Sequence, residues 1–181
     1  MSIENKLKDL RIYLSGPIEH TKDDGVDWRQ KFTKLSEENK LNLKIMDPTD
    51  KDDCSVGEIA KAREKLRQLK ENGKFDEVTE TMKSIRHWDL RACDYAHAII
   101  VNIDPDVPTW GTVDECLVAE RQQKPVFAVI AGGPKKAPDW AFTHIRWQEM
   151  FDSLESLMDY LIDLHVGKAP LDSRWVIIRN G

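Results

Sequence analysis

Apolar residues recur along this chain with three different spacings. Arg11-Ile12-Tyr13-Leu14 is a short β-prone run that stops at the turn residues Ser15-Gly16-Pro17. A polar loop from Glu19 to Asp27 follows. Trp28, Phe32 and Leu35 then recur at helical spacing and predict an amphipathic helix over 26–40. Leu41 to Met46 alternates with period two and predicts a strand ended by Asp47-Pro48. Residues 51–76 are dominated by Lys, Arg and Glu, with Ile59, Ala62, Leu66 and Leu69 on one face and Asn72-Gly73 at the end, which predicts a charged helical insertion. A second helix over 76–96 places Val78, Met82, Ile85, Asp89, Ala92 and Ala96 near one stripe. The uninterrupted apolar runs 98–103 and 126–130 predict strands buried on both faces. Between them, 111–123 reads as a helix entered through Thr112 and left at Lys124-Pro125. Leu154, Leu157, Met158, Leu161 and Leu164 mark an amphipathic helix over 153–165, and Trp175-Val176-Ile177-Ile178 predicts a last short strand.

Strands alternating with helices, with the later strands apolar throughout, predict one doubly wound parallel α/β sheet covered on both faces. In such sheets ligands sit beyond the carboxyl ends of the strands, where the strand order reverses. The loops to inspect are therefore 15–25, 47–55, 104–112 and 131–140.

Composition narrows the class without choosing a chemistry. The chain has 181 residues, a length suited to one domain that buries roughly 70% of its unfolded surface with no need of disulfide or metal. Hydrophobic residues make up 40% and charged residues 33%, which fits a folded, water-soluble domain. No apolar run approaches the ~18 residues of a membrane-spanning helix, and the polar start from Met1 to Lys6 has no signal-peptide pattern. A formal charge of −5 disfavours a polymeric nucleic-acid partner. Cys54, Cys93 and Cys116 form no CxxC pair, and read as reduced thiols in a cytoplasmic protein. His20, His87, His97, His144 and His165 lack metal-ligand spacing, and none of the common nucleotide or hydrolase signatures occurs, so neither a metal nor a cofactor is expected.

What the predicted strand ends do deliver is polar and specific. The first delivers Tyr13 and then Ser15-Gly16-Pro17-Ile18. The third delivers Asp104 and then Thr109-Trp110-Gly111-Thr112, followed by Glu115. Asp89 lies just ahead of the third strand. Two carboxylates brought to one pocket from different segments are the basic kit of glycosidic-bond chemistry. Thr112-Val113-Asp114-Glu115 also fits a capping box, in which Glu115 does no more than cap a helix. The same placement at a helix N-terminus favours an ionised carboxylate by roughly 0.3–1 kcal/mol, as a nucleophile requires.

These residues resemble a known family. Tyr13-Leu14-Ser15-Gly16-Pro17-Ile18 is similar to the opening segment of the nucleoside 2-deoxyribosyltransferase family. Asp89-Leu90, a strand ending near Asp104, Gly111-Thr112, Glu115, Ala119 and Lys124-Pro125-Val126 resemble its core. The likeness covers 12–18 and 85–130, and covers 51–76 and the last third poorly. It implies a flavodoxin-like α/β fold, cleavage of the N-glycosidic bond of a (2′-deoxy)nucleoside or its 5′-monophosphate, and a homo-oligomer. Glu115 is then the nucleophile that forms a glycosyl-enzyme. Asp89 orients or protonates the leaving base, Tyr13 places the nucleophilic carboxylate, and Ser15 to Ile18 line the pocket. Asp104 and Thr109 to Thr112 complete the substrate loop.

Transfer to a second base gives a transferase; transfer to water gives a hydrolase. Transferases of the family carry an aspartate where Thr109 stands. The related 2′-deoxynucleoside 5′-phosphate N-hydrolases carry a serine there, and a hydroxyl suits a phosphate oxygen. Against that, Glu19-His20-Thr21-Lys22 lacks their Gly/Arg-rich phosphate loop. Trp110 either stacks on a base or caps the pocket wall, and 51–76 is a lid, an oligomer contact or a solvated helical pair. A nucleotide-binding protein without catalysis and a glycohydrolase of NAD type remain alternatives.

Overall fold

The computed structural model describes residues 6–19, 21, 23–50 and 59–175. Five strands form one sheet: β1 (Arg11–Ser15), β2 (Lys44–Met46), β3 (Ala98–Ile103), β4 (Val126–Ile130) and β5 (Met150–Phe151). Their order is β2-β1-β3-β4-β5 and every pairing is parallel. This is the doubly wound α/β arrangement of flavodoxin-like order. The helices are α1 (Val26–Glu38), α2 (Ile59–Glu71), α3 (Phe75–Tyr95), α4 (Trp110–Arg121), the single turn α5 (Ala141–His144) and α6 (Leu154–His165). Among the described residues, no helix is long and apolar enough to cross a membrane.

Period-two alternation divides the strands between two cores. Ile12 and Leu14 of β1, Ala98 and Ile100 of β3, and Phe127 and Val129 of β4 face Phe32 of α1 and Leu157, Met158, Leu161 and Leu164 of α6. Tyr13 of β1, Ile99, Val101 and Ile103 of β3, and Val126, Ala128 and Ile130 of β4 face Ala92 and Cys93 of α3 and Cys116 and Ala119 of α4. Both faces are buried, which explains why β3 and β4 carry no polar alternation. Ser15 follows Tyr13 by two residues, so it points to the α3–α4 face, although it is polar and fully buried.

Two sequence expectations change at the C-terminal end. The fifth strand is Met150–Phe151, in a stretch whose two residues are too few to show a period. Trp175 belongs to a short 3-10 turn, Ser173–Trp175, and the rest of the expected strand lies outside the described residues. Trp175 stacks on Phe127 with ring centroids 5.8 Å apart. Arg174 holds that return in place. It forks onto Glu149, with Nη1 2.9 Å from Oε2, and also pairs with Asp172.

The insertion is a pair of helices. Leu66 and Leu69 of α2 are buried, and α2 packs on α3. A 21-residue α3 is about 31 Å long, against about 20 Å for the six residues of β3. Its first two turns, about a third of its length, therefore extend past the carboxyl ends of the strands, and Phe75 and Met82 are exposed. Arg63 of α2 donates to the Ile18 carbonyl at 3.4 Å and pairs with Asp24, which ties this arm to the loop after β1.

Candidate active site

The order reversal falls between β1 and β3: the chain leaves β1 toward β2 and leaves β3 toward β4. Ser15, the last residue of β1, is in register with Val101, near the carboxyl end of β3. α4 begins after the loop that follows β3, and its stripe Thr112, Glu115, Cys116 and Ala119 is buried against the sheet. Glu115 thus reaches the switch point from the helix while Tyr13 and Ser15 reach it from the strand.

The three side chains meet. Tyr13 Oη donates to Glu115 Oε1 at 2.9 Å, and Ser15 Oγ donates to Glu115 Oε2. Each carboxylate oxygen therefore holds one hydroxyl from the same strand. Glu115 is 8% exposed. Burial pushes its pKa up to about 7; the negative charge of Asp89 adds to that push, and the Ser15 and Tyr13 donors and Arg29 oppose it. Tyr13 is held well above its ordinary range, first by burial and then by the charges of Glu115 and Asp89, so it stays a neutral donor. Asp89 is half-buried on α3, one turn before Cys93, and its charge is felt by both residues.

The capping-box reading of Glu115 is overturned. The N-cap of α4 is Thr109, and Trp110 is its first residue, so Thr112 lies inside the helix and does not open it. Glu115 falls in the second turn, beyond the reach of the helix-terminal field. Its carboxylate serves Tyr13 and Ser15 and does not reach back to a cap. The charge preference expected from a helix N-terminus is replaced by burial, which works in the opposite direction.

That reversal has a measurable consequence. A carboxyl whose folded pKa lies above its unfolded value of about 4.5 retains its proton in the folded state while the unfolded chain has lost it. Its contribution is intact below pH 4.5 and is lost as pH rises through 7. Glu115→Gln removes this penalty. Relative to wild type, the variant gains roughly 3 kcal/mol between pH 4.5 and pH 8, measured by urea unfolding across that range. A difference that does not change with pH would contradict burial as the dominant influence on Glu115.

The remaining expected site residues divide. Gly16 and Ile18 turn their carbonyls to neighbouring donors: Gly16 O accepts from Arg29 Nη2 at 3.1 Å, and Ile18 O accepts from Thr21 Oγ1 at 2.9 Å. Pro17 is buried. Ser15 is part of the Glu115 hydrogen-bond set, beyond lining a pocket. Thr109 is half-buried and its hydroxyl makes no cap bond to α4. Trp110 is 84% exposed at the start of α4. Gly111 is exposed with open space where a side chain would go. Asp104 is exposed and accepts from the Asp106 amide at 3.0 Å, a turn contact within its own loop.

One residue missed in the sequence stands out. Arg29 of α1 is fully buried. Its Nε donates to Leu14 O at 3.3 Å, its Nη1 to Gly25 O and its Nη2 to Gly16 O, while Nε lies 3.5 Å from Asp47 Oδ1. Position 29 shares a stripe with Phe32 and Ser36, and that spacing was the available signal.

Gly25, just before α1, makes room for this side chain. Its φ is +72°, and an added Cβ would lie 2.3 Å from Pro17 O and 2.5 Å from Arg29 Nη1. Gly25→Ala is expected to cost about 2–4 kcal/mol, read from the urea midpoint. A cost under ~0.5 kcal/mol would contradict the packing of this loop.

No family model matches the chain, and no curated protein matches it. A solved structure described as a conserved protein from Enterococcus faecalis V583 is similar to it, with 16% identity over 94% of this chain and 96% of that one and a TM-score of 0.45. No residue assignment follows from a likeness of that size.

Proposed function

We propose that the protein cleaves the N-glycosidic bond of a (2′-deoxy)nucleoside or its 5′-monophosphate through a covalent glycosyl-enzyme on Glu115. The observation that carries this reading is a buried glutamate at the switch point with each of its oxygens held by a hydroxyl of β1, within the field of a second carboxylate, Asp89. The resemblance of 12–18 and 85–130 to the nucleoside 2-deoxyribosyltransferase family supplies the substrate class.

The reaction has two steps. In the first, one Glu115 oxygen attacks C1′; the new O–C1′ bond forms as the C1′–N bond breaks, and the base leaves with the electron pair. Asp89 accepts a hydrogen bond from the departing base and orients it, and the leaving nitrogen takes its proton from water. Charge builds at C1′ in an oxocarbenium-like transition state, and the Glu115 carboxylate opposite it stabilises that charge. In the second step an incoming nucleophile attacks C1′ as the C1′–O bond to Glu115 breaks, gives its proton to Asp89, which passes it to solvent, and frees Glu115. Tyr13 and Ser15 fix the carboxylate before the attack, so little orientation is lost at the transition state. Their hydrogen bonds favour the ionised form, which burial opposes, and a pKa of about 7 leaves about half the protein in the reactive state at neutral pH.

Thr109 favours water over a base as acceptor. Its position carries an aspartate in the transferases that the chain resembles, and a threonine hydroxyl does not exchange a proton with a base at neutral pH. Incubation with a panel of nucleosides and 5′-monophosphates, with and without a second free base, tests both points by chromatography. Base release without exchange is the expected result. Exchange would make the protein a transferase, and neither release nor exchange across the panel would remove the proposal.

A further inference from the structure

We propose that Arg29 is a positioning residue for Glu115: its buried guanidinium locks the carbonyls of the β1 loop and supplies the positive charge that offsets an otherwise acidic site. The role as positioning residue rests on the reading of Glu115 as the reacting group. The placement itself rests on geometry.

A fully buried arginine is costly unless its donors are used and its charge is matched. Here the donors converge on one short stretch. Leu14 and Gly16, whose carbonyls accept from Arg29, lie directly on either side of Ser15, and Gly25 closes the same loop before α1. The guanidinium therefore fixes the backbone from which Tyr13 and Ser15 present their hydroxyls to Glu115. A planar fork suits three carbonyls in fixed directions; an ammonium group makes fewer such bonds and aims them less. Asp47, at the end of β2, lies 3.5 Å away and anchors the cation from the other side. Its own Oδ1 is fixed by the Thr49 amide and hydroxyl, both at 2.7 Å. One side chain thus joins the loops after β1 and β2.

The charges around Glu115 come from every element packed on it. β1 contributes Tyr13, which burial keeps neutral, and α3 contributes Asp89 and the thiol of Cys93. α4 itself contributes Cys116, and both thiols are pushed up by burial, so they are uncharged. α1 contributes Arg29, a cation that favours the ionised form of Glu115. Against burial and Asp89, the ionised form of Glu115 is favoured by the Ser15 and Tyr13 hydroxyls, whose backbone Arg29 fixes, and then by the charge of Arg29 itself.

The test is carboxyl NMR on the full chain carrying 13C-labelled glutamate, with Glu115→Gln used to assign the Glu115 resonance. No turnover is involved. In wild type, Glu115 titrates near 7. Arg29→Gln removes the charge and raises that midpoint by about one unit, whereas Arg29→Lys keeps the charge and moves it by less than about half as much. An unmoved midpoint in folded Arg29→Gln, or equal shifts in both variants, would overturn the proposal. If Arg29→Gln does not fold, the 15N resonance of Arg29 Nε decides: in wild type it follows the Glu115 midpoint, and in Glu115→Gln it does not. An Arg29 signal indifferent to Glu115 would overturn the proposal. A protein that shows this coupling but releases no base keeps the positioning role and loses the proposed reaction.

Discussion

Glu115→Ala is expected to lower kcat/KM for base release by at least about 10⁴-fold, or about 5.5 kcal/mol of transition-state stabilisation. The removed carboxylate forms the new bond to C1′ and opposes its charge, so no neighbouring group replaces it. Glu115→Gln is expected to be as inactive. It is nearly isosteric and can still accept from Tyr13 or Ser15, so a folded but inactive Gln variant separates loss of the nucleophile from loss of packing. Steady-state base release by chromatography checks both. A variant retaining a tenth of wild-type activity would assign the chemistry to another residue. Tyr13 is not an adequate substitute, because burial, and after it the charge of Asp89, keep its phenol protonated.

Phe127→Ala is expected to cost about 3–5 kcal/mol of stability. Phe127 is fully buried in β4. Its ring meets Phe151 at 6.4 Å, Tyr160 at 5.7 Å and Trp175 at 5.8 Å between centroids. Truncation therefore empties space shared by β5, α6 and the C-terminal return, three consecutive elements that close over β4. Urea unfolding followed by tryptophan fluorescence measures the loss. A cost below ~1.5 kcal/mol would mean that the return carrying Trp175 does not close over β4 as described.

These two residues also show what the chain reveals before it folds. β3 and β4 were legible because burial on both faces makes their sequences continuously apolar. α1, α3 and α6 were legible from their stripes, to within a residue or two. β5 was not: two residues carry no period, and its place at the sheet edge is decided by pairing with β4 at Ala128 and Val129. Trp175 reads as part of a strand because the residues after it are β-prone. Its fate in the described structure is set by Phe127 and by the bond of neighbouring Arg174 to Glu149, and both Phe127 and Glu149 are remote in sequence.

The site was legible in part for a similar reason. Glu115, Asp89, Tyr13 and Ser15 were all named from strand ends, and three of them converge by hydrogen bonds. The function of Ser15 needed the alternation of β1 to be placed against α4. The capping misreading arose because a T-x-x-E pattern is the same string whether the helix starts at Thr112 or two residues earlier at Trp110. Arg29 was passed over because arginine on an amphipathic helix is usually solvent-facing. Gly25, which leaves the space, the carbonyls around Ser15 and the carboxylate of Asp47 make its burial sustainable.

The most direct test of the central claim is acid quench during turnover of a 2′-deoxynucleoside or its 5′-monophosphate, followed by proteolysis and mass spectrometry. The expected result is a deoxyribosyl or phosphodeoxyribosyl adduct on the peptide that carries Glu115, located to that residue by fragmentation and absent from Glu115→Gln. Base release with no adduct at any quench time, or an adduct on a different residue, would contradict the account.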